Sequence, residues 1–400
     1  MNAIFLPKIH FGVFMYTESE VLDFVQEEDV KFIRLAFFDV HGNQRNISIM
    51  ASQLDRAFND GISFDASAVG FEDASKSDLF LHPDPSTLSI LPWRPSTGKV
   101  VRMFCNIKNA DGTPYKGCCR TLLQNAIKKA KDECNISINI GAEVEFYLFK
   151  LDQEGNPTKI PFDNGSYMDL APVDKGENIR REICFTMEQM GITPEASHHE
   201  EGPGQNEIDF RYSDPLTAAD NTATFKWIVR TKAASNGLYA DFSPKPIQNQ
   251  AGSGMHINFS LSDSSKLKNA LAGILAHIAE ITYYLNPTEN SYKRLGEQKA
   301  PKFICWGQEN RSTLIRIPAT KEDKRLEIRS SDPECNPYQA FTLLIYAAIE
   351  GIKNDMQPPA PIETNLFKAS NAVGLTALPD TLDAARDIAE NSSFIKGILG

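Results

Sequence analysis

The chain has 400 residues, 42% of them hydrophobic and 23% charged, which suffices for a large core divided between two domains. A net charge of −11 disfavours non-specific binding to nucleic acid or to an anionic membrane, and no apolar run reaches the ~18 residues of a spanning helix. The N-terminus lacks the basic-then-apolar pattern of a signal peptide; seven scattered cysteines, with neither C-x-x-C nor zinc spacing, read as reduced thiols of a cytoplasmic protein.

In chain order, residues 17–26 read as a short helix with Thr17 or Ser19 as its cap. The run 30–37 is strand-like, 46–50 is its return strand, and His41, Gly42 and Asn43 supply the turn chemistry between them. A helix is predicted at 52–60 and a short apolar run at 88–91 among many prolines. A further strand at 100–107 leads into the turn 109–113. These first ~110 residues form a small mixed domain, 1–110. From Arg120 the elements lengthen. Helices are predicted at 121–131, 177–190, 218–236, 266–285, 338–352 and 382–390, and strands at 136–148 and 254–261. In the 338–352 helix, Ala347, Ala348 and Gly351 permit close packing. Segment 357–375 is irregular. The class is therefore α+β, with a second domain over 111–400.

Six metal-binding groups recur in short motifs. Glu143 and Glu145 lie two apart in G-A-E-V-E-F. Glu200 and Glu207 frame H-H-E-E-G-P-G-Q-N-E-I. His256 ends G-S-G-M-H, and Glu327 lies in R-L-E-I-R. Residues i and i+2 of a strand share a face, so Glu143 and Glu145 project together, as do Glu327 and Arg329. Five converging carboxylates and one imidazole call for cations between them. Two divalent ions with oxygen-rich shells, Mg²⁺ or Mn²⁺, satisfy that and suit phosphate chemistry. The glycines of G-S-G-M-H allow close backbone approach, but the stretch is not a phosphate loop of the G-x-x-x-x-G-K-[ST] kind.

The order and spelling of these motifs resemble the glutamine synthetase family of the bacterial and archaeal first type, from about residue 29 to about 395. The likeness includes F-F-D-V-H-G near Asp39, S-D-L-F-L-H-P-D near Asp78, K-P-I-Q-N-Q-A-G-S-G-M-H, N-P-T-E-N-S-Y-K-R-L, N-R-S-T-L-I-R-I-P and R-L-E-I-R-S-S-D-P-E-C-N-P-Y-Q-A-F. The resemblance implies a β-grasp-like N-terminal domain and a catalytic domain of curved antiparallel sheet backed by helices. It further implies ring assembly, as hexamers possibly stacked in pairs, with active sites between subunits. The implied reaction is ATP-dependent ligation of ammonia to the γ-carboxylate of L-glutamate through γ-glutamyl phosphate. Carried over residue by residue, Glu145, Glu200 and Glu207 hold one metal, and Glu143, His256 and Glu327 the other. Arg311 stabilises the transferring phosphoryl group. Gly252, Arg294 and Arg329 hold glutamate, with Tyr167 at the ammonium pocket. Asn258, Ser260, Arg316 and Arg325 face ATP. Asp39 is the base that takes the ammonium proton, acting in a neighbour's site. His198 and His199 are assigned packing roles beside the metal ligand Glu200.

Three departures fall at the glutamate and ammonia end. Ala251 stands where the family has Asn, Lys299 stands where its mobile loop has Glu, and the stretch around Asp65 is one residue short. The chain also ends at Gly400, before the tail that locks ring to ring in relatives. Lys299 is accordingly expected to limit ammonia use. The alternatives to glutamine synthesis are a γ-glutamyl ligase for another amine and a non-catalytic paralogue.

Overall fold

The computed structural model describes residues 16–320, 324–368, 372 and 374–400. The chain divides into two compact units, Met1–Phe37 with Gln44–Tyr115, and Phe38–Asn43 with Lys116–Gly400.

The first unit starts with α1 (Glu18–Glu27), capped reciprocally by Thr17 and Glu20. Strands β1 (Val30–Phe38), β2 (Gln44–Met50), β3 (Ile62–Asp65), β4 (Asp78–Pro83), β5 (Ser89–Ile90) and β6 (Lys99–Lys108) follow, with α2 (Leu54–Asn59) between β2 and β3. They form one sheet in the order β2-β1-β6-β4-β3, with β5 on β6, and β1 runs parallel to β6. This is the sheet-plus-helix domain expected from the sequence. Strands β3 and β4 were not anticipated, because they are short and bounded by Gly, Ser and Pro.

The β1–β2 turn, which carries Asp39, clusters with the second unit. Phe38 packs on Tyr338 with the rings tilted by 49° and their centroids 4.6 Å apart, and Gly42 (φ 78°) lies so close to Asn336 that an added Cβ would come within 2.6 Å of its side chain.

The second unit contains α3 (Cys119–Cys134), β7 (Ile138–Leu151), β8 (Pro157–Pro161), α4 (Glu177–Gln189), β9 (Pro194–His199), β10 (Gln205–Phe210), α5 (Pro215–Ser235), β11 (Leu238–Asp241) and β12 (Met255–Leu261). Then come α6 (Leu267–Leu285), α7 (Glu289–Tyr292), β13 (Trp306–Gln308), β14 (Ile315–Ile317), β15 (Leu326–Ile328), α8 (Pro337–Lys353), α9 (Leu382–Asn391) and α10 (Ser393–Leu399). A curled sheet runs β13-β14-β15-β12-β7-β10-β9, with β8 and β11 also on β7. It is antiparallel except for the parallel pair β13–β14, so the expected antiparallel sheet is a mixed one.

Helices cover one face of this sheet. Phe146 of β7 and Phe210 of β10 both pack on Phe225 of α5. Val144, Ile208, Ile257 and Phe259 are fully buried beside them. The alternate residues of the same strands point the other way, into a cleft. Helix starts follow local chemistry: Asp214 and Asn336 cap α5 and α8, each with proline at the first helical position. Helix α8 packs against α3 and α6. At the α6–α8 crossing, Gly273 and Gly351 leave no room for a Cβ: one built at Gly351 would lie 2.1 Å from the Asn269 carbonyl.

Candidate active site

Strand β7 organises the site. Glu143 is the register partner of His256 on β12, and Glu145 is the register partner of Glu207 on β10. Glu207 in turn faces His198 on β9. On the far side of β12, Asn258 is opposite Glu327 of β15, and Glu327 is opposite Arg316 of β14. Period-two alternation on six neighbouring strands thus delivers all these polar side chains to one face. Glu200 follows the end of β9, in the turn whose backbone closes from Glu200 N to Gln205 O.

All six expected metal ligands line one cleft of about 560 Å³. Glu143, His256 and Glu327 converge, each offering a ligand atom within 4.8 Å of the others. Here cations already offset the negative charge. Burial opposes ionisation of Glu327, but His256, Arg329 and Arg316 outweigh it and hold the carboxyl at about 2. Glu143 is likewise held low against its burial, by His256 and by a 2.8 Å hydrogen bond from Asn258.

The other half of the cleft has the opposite balance. Burial and the nearby Glu200 push Glu145 up, although Gly254 N (2.8 Å) and Gln205 Nε2 (3.1 Å) donate to it. Burial and the Glu201 charge raise Glu200 to about 7. Burial with Glu145, Asp209 and Glu143 raises Glu207 well above the carboxylate range. The Asp209 carboxyl, raised to about 6 mainly by burial, has one oxygen, Oδ1, buried without a hydrogen-bond partner among the described residues. Crowded carboxylates with too few cations, and an orphaned acceptor among them, fit divalent metal binding.

The arginines divide by role. Arg316 and Arg329 both bind Glu327, one to each carboxylate oxygen. Arg294 is buried and donates to the backbone carbonyls of Ser330 (2.9 Å) and Arg329 (3.2 Å), so it braces the cleft wall. Arg311 is exposed in the cleft and makes no ion pair among the described residues. Arg325 donates to Asn258 Oδ1 at 2.7 Å. It lines both the main cleft and a second cavity of about 650 Å³, which also takes in Glu143, Asp209, Asn258 and Ser260.

Gly252 lines the cleft, and a Cβ there would meet the Pro244 carbonyl at 2.6 Å, so the backbone at this point packs closely on the protein itself. Ala251 lines the cleft and accepts a hydrogen bond from the Tyr147 hydroxyl through its carbonyl (2.5 Å). Tyr167 and Lys299 also line the cleft. Asp39 is not among its lining residues in this chain. Its carboxylate accepts from His41 N (3.0 Å) and Asn43 N (2.9 Å), holding the β1–β2 turn. Asp65 similarly accepts from Ser67.

Sequence reasoning overlooked Asp209, Gln205 and Glu201. Asp209 was detectable, since it lies two residues past Glu207 on the same strand face. Gln205 and Glu201 act through a tight hairpin that periodicity does not show. His199 is fully buried. Its Nε2 meets Asp163 at 2.8 Å and its Nδ1 meets the Glu200 carbonyl at 2.6 Å, so it ties the Glu200 turn to the loop that leads to Tyr167.

Two family models match the chain: the glutamine synthetase β-grasp domain over residues 29–110 and the glutamine synthetase catalytic domain over 116–400. The chain belongs to the glutamine synthetase family. It is 45% identical to a glutamine synthetase of Methanosarcina mazei and 41% identical to one of Staphylococcus aureus, in each case over 96% of this chain and 91% of the relative. A solved structure titled "GmaS/ADP complex-Conformation 1" superposes with a TM-score of 0.87 at 27% identity, covering 95% of this chain and 92% of that one. The strand-borne carboxylates, His256 and the arginines are thus seen on a glutamine synthetase catalytic domain.

Proposed function

We propose that this chain is a glutamate–ammonia ligase that makes glutamine from L-glutamate, ammonia and ATP, releasing ADP and phosphate. The observation that carries this reading is the single cleft in which Glu143, His256 and Glu327 converge beside Glu145, Glu200, Glu207 and Arg311. A carboxylate is a poor acyl donor, so the γ-carboxylate must be activated. Its oxygen attacks the ATP γ-phosphorus, ADP leaves, and γ-glutamyl phosphate forms. Ammonia then attacks the acyl carbon, and phosphate leaves.

The chain's residues divide this work. The carboxylates and His256 hold two ions, Mg²⁺ or Mn²⁺, the first at Glu145, Glu200 and Glu207 and the second at Glu143, His256 and Glu327. Such ions would neutralise charge on the phosphates. Arg311 meets the charge that builds up on the transferring phosphoryl oxygens. Arg329, Arg294 and Gly252 receive glutamate. Asn258, Ser260, Arg316 and Arg325 serve ATP, which extends into the second cavity. Tyr167 marks the ammonium end. Asp39 takes the ammonium proton in the site of a neighbouring subunit of a ring, most simply a hexamer. We assign 1–110 to the N-terminal domain and 111–400 to the catalytic domain, and we place the enzyme in the cytoplasm, where its seven free thiols stay reduced.

The relatives named glutamine synthetase favour ammonia over another amine. The test is turnover of ATP and glutamate with Mg²⁺ and a panel of amines, read as ADP and γ-glutamyl product. Glutamine formed from ammonia is the expected result. Product only from a larger amine, or none from any, overturns the reading.

A further inference from the structure

Lys299 occupies an unusual place in the cleft. Its ammonium group pairs with Glu201 and lies over the ring of Tyr167, 5.6 Å from the centroid. All three residues line the cleft, and Glu200 is beside them. The Tyr167 ring meets His198 edge-on, with centroids 5.5 Å apart. Lys299 is brought there by a tight turn in which Gln298 takes a left-handed conformation (φ 52°), with Ala300 N bonded to Glu297 O. A non-glycine residue adopts that conformation only where its surroundings hold it.

An aromatic face flanked by carboxylates binds small cations by charge and by the ring quadrupole. Ammonium is such a cation, and a lysine head group is the same –NH₃⁺ group on a carbon tether. We propose that Lys299 acts as a tethered competitor for the ammonium substrate, its own ammonium group occupying the cation subsite formed by Tyr167 and Glu201. This rests on the glutamine-forming reading above. Free ammonium must displace Lys299 before it reaches the acyl carbon. The displacement is reversible, because the Lys299–Glu201 pair is partly exposed, with side chains 59% and 31% accessible. A tether also gives the head group an effective concentration in about the millimolar range, so competition is appreciable even when each contact is weak. The result is an enzyme tuned to high ammonium, with the lysine as its specificity device.

The experiment compares wild type, Lys299→Gln and Lys299→Arg by steady-state glutamine formation across an ammonium titration at fixed ATP and glutamate. An exposed ion pair and a cation–π contact together correspond to about a threefold to tenfold effect. Lys299→Gln should lower KM for ammonium by that factor, and Lys299→Arg should keep the wild-type value, since a guanidinium still covers the ring and pairs with Glu201. The KM for ATP serves as the internal reference. An unchanged or higher KM for ammonium in Lys299→Gln overturns the competitor role while leaving glutamine synthesis intact. Wild-type enzyme that forms no glutamine overturns the functional reading instead.

Discussion

His256 and Glu143 are register partners on adjacent antiparallel strands, and the imidazole Nδ1 lies 3.4 Å from the carboxylate Oε2. Cross-strand neighbours on one face are held by the sheet itself, so this pair is preorganised before any metal arrives. His256→Ala and Glu143→Gln should each weaken Mn²⁺ binding by at least about tenfold, since even residues that only support metal ligands contribute that much. Thermal unfolding across a Mn²⁺ titration reads the effect without turnover. Chelation should lower the wild-type Tm, because an ion that binds only the folded state adds about 2.7 kcal/mol at a hundred times its Kd. Identical metal-induced shifts in wild type and both variants would remove the pair from the metal site.

Glu327 is buried between two guanidinium groups, those of Arg316 and Arg329. Glu327→Ala leaves both cations without that partner, and breaking a buried pair costs about 3–5 kcal/mol. The variant should unfold at lower denaturant concentration and lose ATP-dependent turnover. Wild-type turnover in this variant would exclude Glu327 from the chemistry.

Burial pushes the Asp332 carboxyl up to about 7, against the pull of Arg294. A carboxyl raised in the fold stabilises most while protonated. Its contribution is complete below the unfolded value of about 3.9 and is lost as pH rises through about 7. Asp332→Asn removes this loss and can still accept from Glu334 N, which donates to Asp332 at 2.9 Å. The stability of Asp332→Asn relative to wild type should therefore grow from pH 5 to pH 7 and level off above it. Denaturant melts at several pH values check this, and a flat difference would refute it.

Gly351→Ala should destabilise the α6–α8 crossing by about 1–3 kcal/mol, because the new methyl would overlap the Asn269 carbonyl and force the helices apart. Chemical denaturation measures it. A change within about 0.5 kcal/mol, as surface substitutions give, would mean that the crossing relaxes freely.

If Asp39 serves a neighbour's site, chains carrying Asp39→Ala and chains carrying Arg329→Ala should complement each other. Each variant alone should be nearly inactive, and co-refolded mixtures should regain part of the activity through sites built from two intact halves. A stable, active monomer in light scattering would exclude composite sites.

Much of this molecule was legible in the chain itself, for definite reasons. Spacing of two on a strand put Glu143 with Glu145 and Glu327 with Arg329, because the strand period is a property of the backbone. A long stretch without breakers gave α5, and apolar patterning gave α6 and α8, each to within a few residues, while the small residues of α8 foretold a close crossing. Family spelling pointed to Glu143, Glu145, Glu200, Glu207, His256 and Glu327, six residues that line one cleft.

Other features depended on the tertiary structure. Strands β9, β10 and β13–β15 are short, and several of their residues face a polar cleft, so they lack a continuous apolar signal. Register, which places Glu207 opposite Glu145 and Arg316 opposite Glu327, is a relation between strands far apart in sequence, and composition does not encode it. That Arg294 lines the cleft while donating to two backbone carbonyls is likewise visible only in the fold. The unlike charge balance of the two carboxylate groups likewise arises only where His256, Arg316 and Arg329 converge on one group and leave the other crowded. Residue types and local spacing follow from the chain alone, whereas burial and the distances between remote charges exist only once the sheet has closed.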